Sequence, residues 1–141
     1  MRVIIAGGRD FANHEPKNTT PEALDEVRKL NIRDYRFAET KIHEALAGYD
    51  YFTIEIISGQ AKGADYVGEV FAGQHDITLK KFPADWSLYG RSAGVIRNER
   101  MAEHAAPGGM LIAFWDGKSK GTKNMIDNAE RYGLKVKVIY Y

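Results

Sequence analysis

"IISGQAKGADYVGEVF", Ile56 to Phe71, reads as three pieces in immediate succession. Ile56-Ile57 closes an apolar strand, and Ser58 to Asp65 is a loop carrying two glycines. Ala64, Val67, Gly68 and Phe71 then set the core stripe of a helix. A strand that turns directly into a helix is the repeating unit of a parallel α/β sheet. The rest of the chain decides whether that unit recurs.

It recurs on both sides. Upstream, Val3-Ile4-Ile5-Ala6 is an unbroken apolar run ended by Gly7-Gly8, as expected of a strand covered on both faces. Residues 10–36 are polar, and Thr20-Pro21 marks the N-cap and first position of a short inserted helix with Ala23, Val27 and Leu30 in register. A second helix follows, with Ala38, Ile42, Ala45 and Leu46 on one stripe and Gly48 at its end, leading to a strand over Phe52 to Ile57. Downstream, Ile77 to Phe82 is a strand stopped by Pro83. Ser92 is placed as the cap of a helix running to about Ala105, and Met110 to Phe114 is another strand. Ser119 caps the last helix, whose stripe is Thr122, Met125, Ile126 and Ala129, with Gly133 at its end. Leu134, Val136, Val138 and Tyr140 alternate with Lys135 and Lys137, the pattern of a lysine-guarded sheet edge.

The order β-α-β-α-β-α-β-α-β predicts one Rossmann-like three-layer domain over 1–141. It has a parallel sheet of about five strands in the order 3-2-1-4-5, helices on both faces, and a helical insertion at about 13–36 after strand one. A chain of 141 residues suits a single core, and its 44% hydrophobic and 28% charged residues are those of a soluble globular protein. Cysteine is absent, which excludes disulfides, thiolate metal sites and cysteine catalysis. No apolar run is long enough for a signal-peptide core or a membrane span, so the expectation is a cytoplasmic protein without a membrane partner.

In a sheet of this kind ligands bind beyond the carboxyl ends of the strands, near the reversal of strand order. Strand one ends in Gly7-Gly8-Arg9-Asp10, and strand two in Ser58-Gly59 through Gly63-Ala64-Asp65. Strand three ends in Pro83-Ala84-Asp85-Trp86, and strand four in Asp116-Gly117-Lys118-Ser119-Lys120-Gly121-Thr122. Glycines admit a ligand close to the backbone, and the helix starts that follow attract anions. Among them Gly7, Gly8, Arg9, Asp10, Ser58, Gly59, Gly63, Ala64, Asp65, Asp85, Trp86, Asp116, Gly117, Ser119, Gly121 and Thr122 are the candidate ligand-binding set, with phosphate the expected anion. Steric turns would explain either loop alone, since neither a Walker A loop nor GxGxxG is present.

The four rim aspartates have a capping role available, most directly Asp65. One or two of them could instead accompany magnesium carried by a nucleotide, or accept ribose hydroxyls. No metal site is expected from the histidines His14, His43, His75 and His104, which show no ligand spacing and read as scattered surface residues. Trp115 reads as core, while Trp86 is open to stacking on a base or closing the core. In "GRSAGVIRNERM", Gly90 to Met101, small Ala93 and Gly94 allow close approach of a helix to the sheet. Arg97 shares a face with apolar Met101, so its guanidinium needs an anion, either a protein carboxylate or a ligand phosphate. Arg97 and Asn98 therefore join the candidate set.

Taken together, "MRVIIAGGRDF", "SGQAKGAD", "FPADW" before "GRSAGVIRNERM", and "DGKSKGT" resemble the YspA-like, YpsA-related branch of the SLOG superfamily, common in phages and bacteria. The resemblance covers nearly the whole chain outside the insertion. It implies a Rossmann-like domain that binds nucleotides, nucleotide-derived ligands or nucleic acid. It also implies a pocket lined by Gly8, Arg9, Ser58, Gly59 and Gly63, with Asp65, Arg97, Asn98, Gly121 and Thr122. Related "Lonely guy" phosphoribohydrolases carry PGGxGTxxE; aligning Gly121-Thr122 with its GT puts Met125, on the apolar stripe, where their catalytic glutamate stands.

Three functions follow as expectations. The first is a nucleotide sensor or carrier; the second is a nucleotide hydrolase or phosphoribohydrolase, which lacks a principal acid/base group at Met125. The third, single-stranded nucleic-acid binding, sits poorly with a net charge of +1, from 20 Lys+Arg against 19 Asp+Glu. The insertion, with Tyr35, Arg36 and Phe37, is read either as a lid over the pocket or as a subunit contact in a homo-oligomer.

Overall fold

The computed structural model describes residues 1–141. Its elements run in chain order: β1 (Arg2–Gly7), α1 (Pro21–Ala45), β2 (Glu55–Ser58), α2 (Ala64–Gln74), β3 (Thr78–Lys81), α3 (Trp86–Tyr89), α4 (Ala93–Ala105), β4 (Met110–Trp115), α5 (Lys120–Arg131) and β5 (Lys135–Tyr140). The five strands form one sheet in the order β3-β2-β1-β4-β5, and every pairing is parallel. This is the expected Rossmann-like architecture.

Its physical basis is visible along β1. Val3 and Ile5 face one core, with Ile42, Phe71 and Phe114; Ile4 and Ala6 face the other, with Met101, Leu111 and Met125. Successive strand side chains point to opposite faces, so a strand covered by helices on both sides must be apolar at every position. The outer strands show the converse. In β5 Lys135 and Lys137 are exposed and Val136 and Val138 only half-buried, as an edge requires.

Two expectations are corrected. The inserted helix and the one after it are a single 25-residue helix, α1. Thr20 caps it as expected, its hydroxyl accepting from the Ala23 N–H at 3.2 Å. No glycine or further proline occurs before Gly48, so nothing stops the helix where its apolar stripe thins between Leu30 and Ala38. Ser92 does not cap α4. It has helical backbone angles and closes a 3-10 turn, Gly90–Ser92, that joins α3 to α4; Ala93 is buried behind it. Further on, Ser119 does cap α5, through a long 3.5 Å bond from the Thr122 N–H.

The chain leaves β1, builds outward through β2 and β3, then returns to β4 on the other side of β1. The strand order reverses between β1 and β4, where Gly7 pairs with Phe114 at the carboxyl rim.

Candidate functional site

A cavity of about 580 Å³ opens over this reversal point. Its floor includes Ala6, Met101 and Met125. Gly7 to Asp10 form one side, and Asp116, Ser119, Lys120, Gly121 and Thr122 form another. Trp86, Arg97 and Asn98 close it from α3 and α4, and Ala61 reaches in from the β2–α2 loop and Asp65 from the first turn of α2. Such a volume is in the ordinary range for small-molecule sites, about 300–1,000 Å³.

Arg97 enters it held by two hydrogen bonds. It is half-buried; its Nη1 donates to the Gly59 carbonyl at 2.5 Å and its Nε to Asn98 Oδ1 at 3.0 Å. Neither bond goes to a carboxylate. Burial works against its charge, Asp65 favours it and Arg9 opposes it, leaving the pKa below the usual arginine value. Asn98, itself buried, donates from Nδ2 to Asn124 Oδ1 at 3.0 Å and to the Gly121 carbonyl at 3.4 Å. It thus ties α4 to α5 and holds the guanidinium in place. Met101, one turn on, is 1% exposed and anchors this face of α4 in the core.

Asp65 is buried too. Its Oδ2 accepts from the Ala61 N–H at 3.2 Å, so it braces the preceding loop and does not cap α2, whose N-cap position, Gly63, has no side-chain bond. Burial pushes its carboxyl up to about 6, against the opposing effects of the Ala61 N–H and Arg97. The other three aspartates sit at the surface. Asp85 caps α3 through the Leu88 N–H at 3.0 Å, and Asp116 Oδ1 accepts from the Lys118 and Ser119 N–H groups at 2.8 Å each. Those bonds hold the Asp116 carboxyl below the usual range. Asp10 Oδ1 accepts from the Tyr141 hydroxyl at 2.6 Å; burial, and then this bond, raise the tyrosine pKa. Asp10 and Asp116 both line the cavity, and each has one carboxylate oxygen outside these hydrogen bonds.

Of the candidate residues, the cavity brings together Gly7, Gly8, Arg9, Asp10, Asp65 and Trp86, and with them Arg97, Asn98, Asp116, Ser119, Gly121 and Thr122. Six lie outside its lining. Ser58 is fully buried and donates to Glu69 at 2.7 Å. Gly59 lies between Asp65 and Arg97, where an added Cβ would come within 2.8 Å and 2.9 Å of them. At Gly63, with φ of 80°, a Cβ would stand 2.2 Å from the Gly8 carbonyl oxygen. Ala64 donates its N–H to that same oxygen at 3.1 Å. Asp85 caps α3, and Gly117, with φ of 82°, makes the turn before α5.

Other readings resolve in detail. Trp86 is 53% exposed beside Gly94, where an added Cβ would make only ordinary contact with the indole at 3.5 Å and meet no sheet atom within 4 Å, so Gly94 does not serve close approach to the sheet as expected. Trp115 packs on the core and donates from Nε1 to the Ser119 carbonyl at 3.0 Å. Met125 is 1% exposed, a core residue as its stripe predicts. The histidines are not scattered surface residues: all four are half-buried with hydrogen-bonding partners. The residues that sequence reasoning missed are Lys120 and Asn124 in α5, and Ala61 and Val95. Asn124 had a signal, since it stands next to the apolar stripe and four residues before buried Asn128. Tyr141 had none, because its partner Asp10 is 131 residues away.

Fold and site together define a parallel α/β protein with a polar, glycine-bordered cavity at its topological switch point. The model of the YspA, cpYpsA-related SLOG family matches residues 1–89, and the chain belongs to that family. It is also similar to the Gene 61 protein of Mycobacterium phage D29, with 31% identity over 90 residues, covering 60% of this chain and 70% of that protein. No solved structure matches. The family match ends before α4, so Arg97, Asn98 and the α5 start enter the site on geometry alone. No helix is long and apolar enough to cross a membrane.

Proposed function

We propose that this protein binds a nucleotide or nucleotide-derived small molecule in the switch-point cavity, as a sensor or carrier. The observation that carries this reading is Arg97. A guanidinium held half-buried by a carbonyl and an amide, with no carboxylate among its hydrogen-bond partners, is a prepared receptor for an anion. The start of α5 at Lys120-Gly121 lies in the same cavity and adds the partial positive charge of a helix N-terminus. Exposed Trp86 offers a face for a base.

The test is thermal stability against AMP, ADP-ribose, NAD, GTP and cyclic nucleotides at millimolar concentration. A ligand at a hundred times its Kd stabilises by about 2.7 kcal/mol. At least one should raise the Tm, and Arg97→Ala should weaken binding of that compound roughly tenfold or more, the loss of a charge-assisted bond. No shift with any of them overturns the reading.

One observation favours a second reading, nucleotide hydrolysis. Asp65 is a cavity carboxyl raised to about 6, the range of a general acid near neutrality. Met125 argues against the phosphoribohydrolase form of that chemistry, since no carboxylate stands there. Release of free base or ribose phosphate, abolished in Asp65→Asn, would establish it; inactivity across the same panel would retire it.

A further inference from the structure

Away from the cavity, three side chains converge where the C-terminal end of α2 meets α1. Glu39 and His43 are one turn apart on α1, and His75 follows the last residue of α2. Each offers a ligand atom, and these atoms all lie within 4.8 Å of one another. His75 Nε2 and Glu39 Oε2 are 3.4 Å apart, long for a charge-assisted hydrogen bond. It is nevertheless close to the spacing of two donors on one tetrahedral zinc, ~3.4 Å for bonds of ~2.0–2.1 Å.

The surroundings favour a metal over a simple polar contact. The two imidazoles meet edge to face, with centroids 4.8 Å apart at 88°, and Phe71 packs against both. His43 Nδ1 is engaged by the Tyr51 hydroxyl, leaving Nε2 as its open nitrogen. A ligating histidine is characteristically held in this way through its other nitrogen. The side chains of His75 and Glu39 are 26% and 33% exposed, so an ion can enter and a water can complete the coordination.

We propose that Glu39, His43 and His75 bind a late first-row divalent cation of the zinc class, cross-linking α1 to the end of α2. Two imidazoles and one carboxylate suit zinc, cobalt or nickel and disfavour magnesium or calcium, which take oxygen ligands. The site is independent of the nucleotide cavity, which lies at the opposite, carboxyl end of the strands.

Calorimetric titration with Zn²⁺ tests it. One ion should bind per chain and raise the Tm, and Co²⁺ should give the visible absorption of a four-coordinate site. His75→Gln and Glu39→Gln, both at partly exposed positions, should keep the metal-free Tm near that of the parent. Each should weaken Zn²⁺ binding roughly tenfold or more, and Tyr51→Phe should weaken it less, by about tenfold at most. His14→Gln and His104→Gln should leave it unchanged. Absence of stoichiometric Zn²⁺ binding, or binding undiminished in both His75→Gln and Glu39→Gln, overturns the proposal.

Discussion

The loops 58–65 and 116–122 have much the same composition and the same place in the strand-to-helix unit, yet the fold uses them differently. In the first, an added Cβ at Gly59 or Gly63 would strike Arg97, Asp65 or the Gly8 carbonyl. In the second, a Cβ at Gly121 would meet nothing within 4 Å, and at Gly117 only the edge of Tyr140 at 4.0 Å. The first loop is a packed strut, fastened to β1 and to Arg97, and it reaches the cavity only through Ala61 and Asp65. The second is an open rim. Glycine means close backbone approach in both readings; in loop 58–65 what approaches is the protein itself.

The largest test of this contrast is Gly63→Ala. The residue combines φ of 80° and ψ of −123°, a region closed to side chains, with the 2.2 Å overlap on Gly8. Urea unfolding should show a loss of about 3 kcal/mol or more. A loss below ~1 kcal/mol would dissolve the distinction between the loops.

Next is the charge buried in the strut. Asp65 has a folded pKa of about 6 against an ordinary 3.8, so between those values the native state holds more protons than the unfolded chain. Stability contributed by the neutral form is therefore present at low pH and lost as pH rises through this window, by an amount on the order of 2–3 kcal/mol. Asp65→Asn, which keeps an acceptor for the Ala61 N–H, should remove that slope and be more stable than the parent above pH ~6. Unfolding free energies measured for both chains from pH 4 to pH 8 check it; parallel profiles would mean that Asp65 is not desolvated.

The smallest effect is expected at Gly121→Ala. With open space around it and a position in the first turn of α5, alanine should be neutral or stabilising by up to about 1 kcal/mol. A marked loss of stability would show that this loop is packed as well. If stability holds but nucleotide-induced stabilisation declines, the rim reading is sharpened.

Much of the fold was legible because it rests on local pattern. Unbroken apolar runs in β1 and β4, lysine alternation in β5 and caps at Thr20 and Ser119 are set within a few residues, and together they select the doubly wound order. The errors came where a signal was weak or shared. A thinning apolar stripe concealed the continuity of α1, and Ser92 carries the residue type of a cap in a turn that does not use it.

Sequence by itself determined the alternation of strands and helices, the sheet order it implies, and the four strand ends that meet at one rim. Those follow from periodicity and turn chemistry. Only the tertiary structure decided which glycines face a cavity and which face backbone, that Arg97 reaches the Gly59 carbonyl, and that Tyr141 reaches Asp10. It also brought His75 beside Glu39 and His43. The physical reason is common to all four: each is a contact between segments far apart in the chain, and its existence depends on packing distances of a few ångströms that no local pattern encodes.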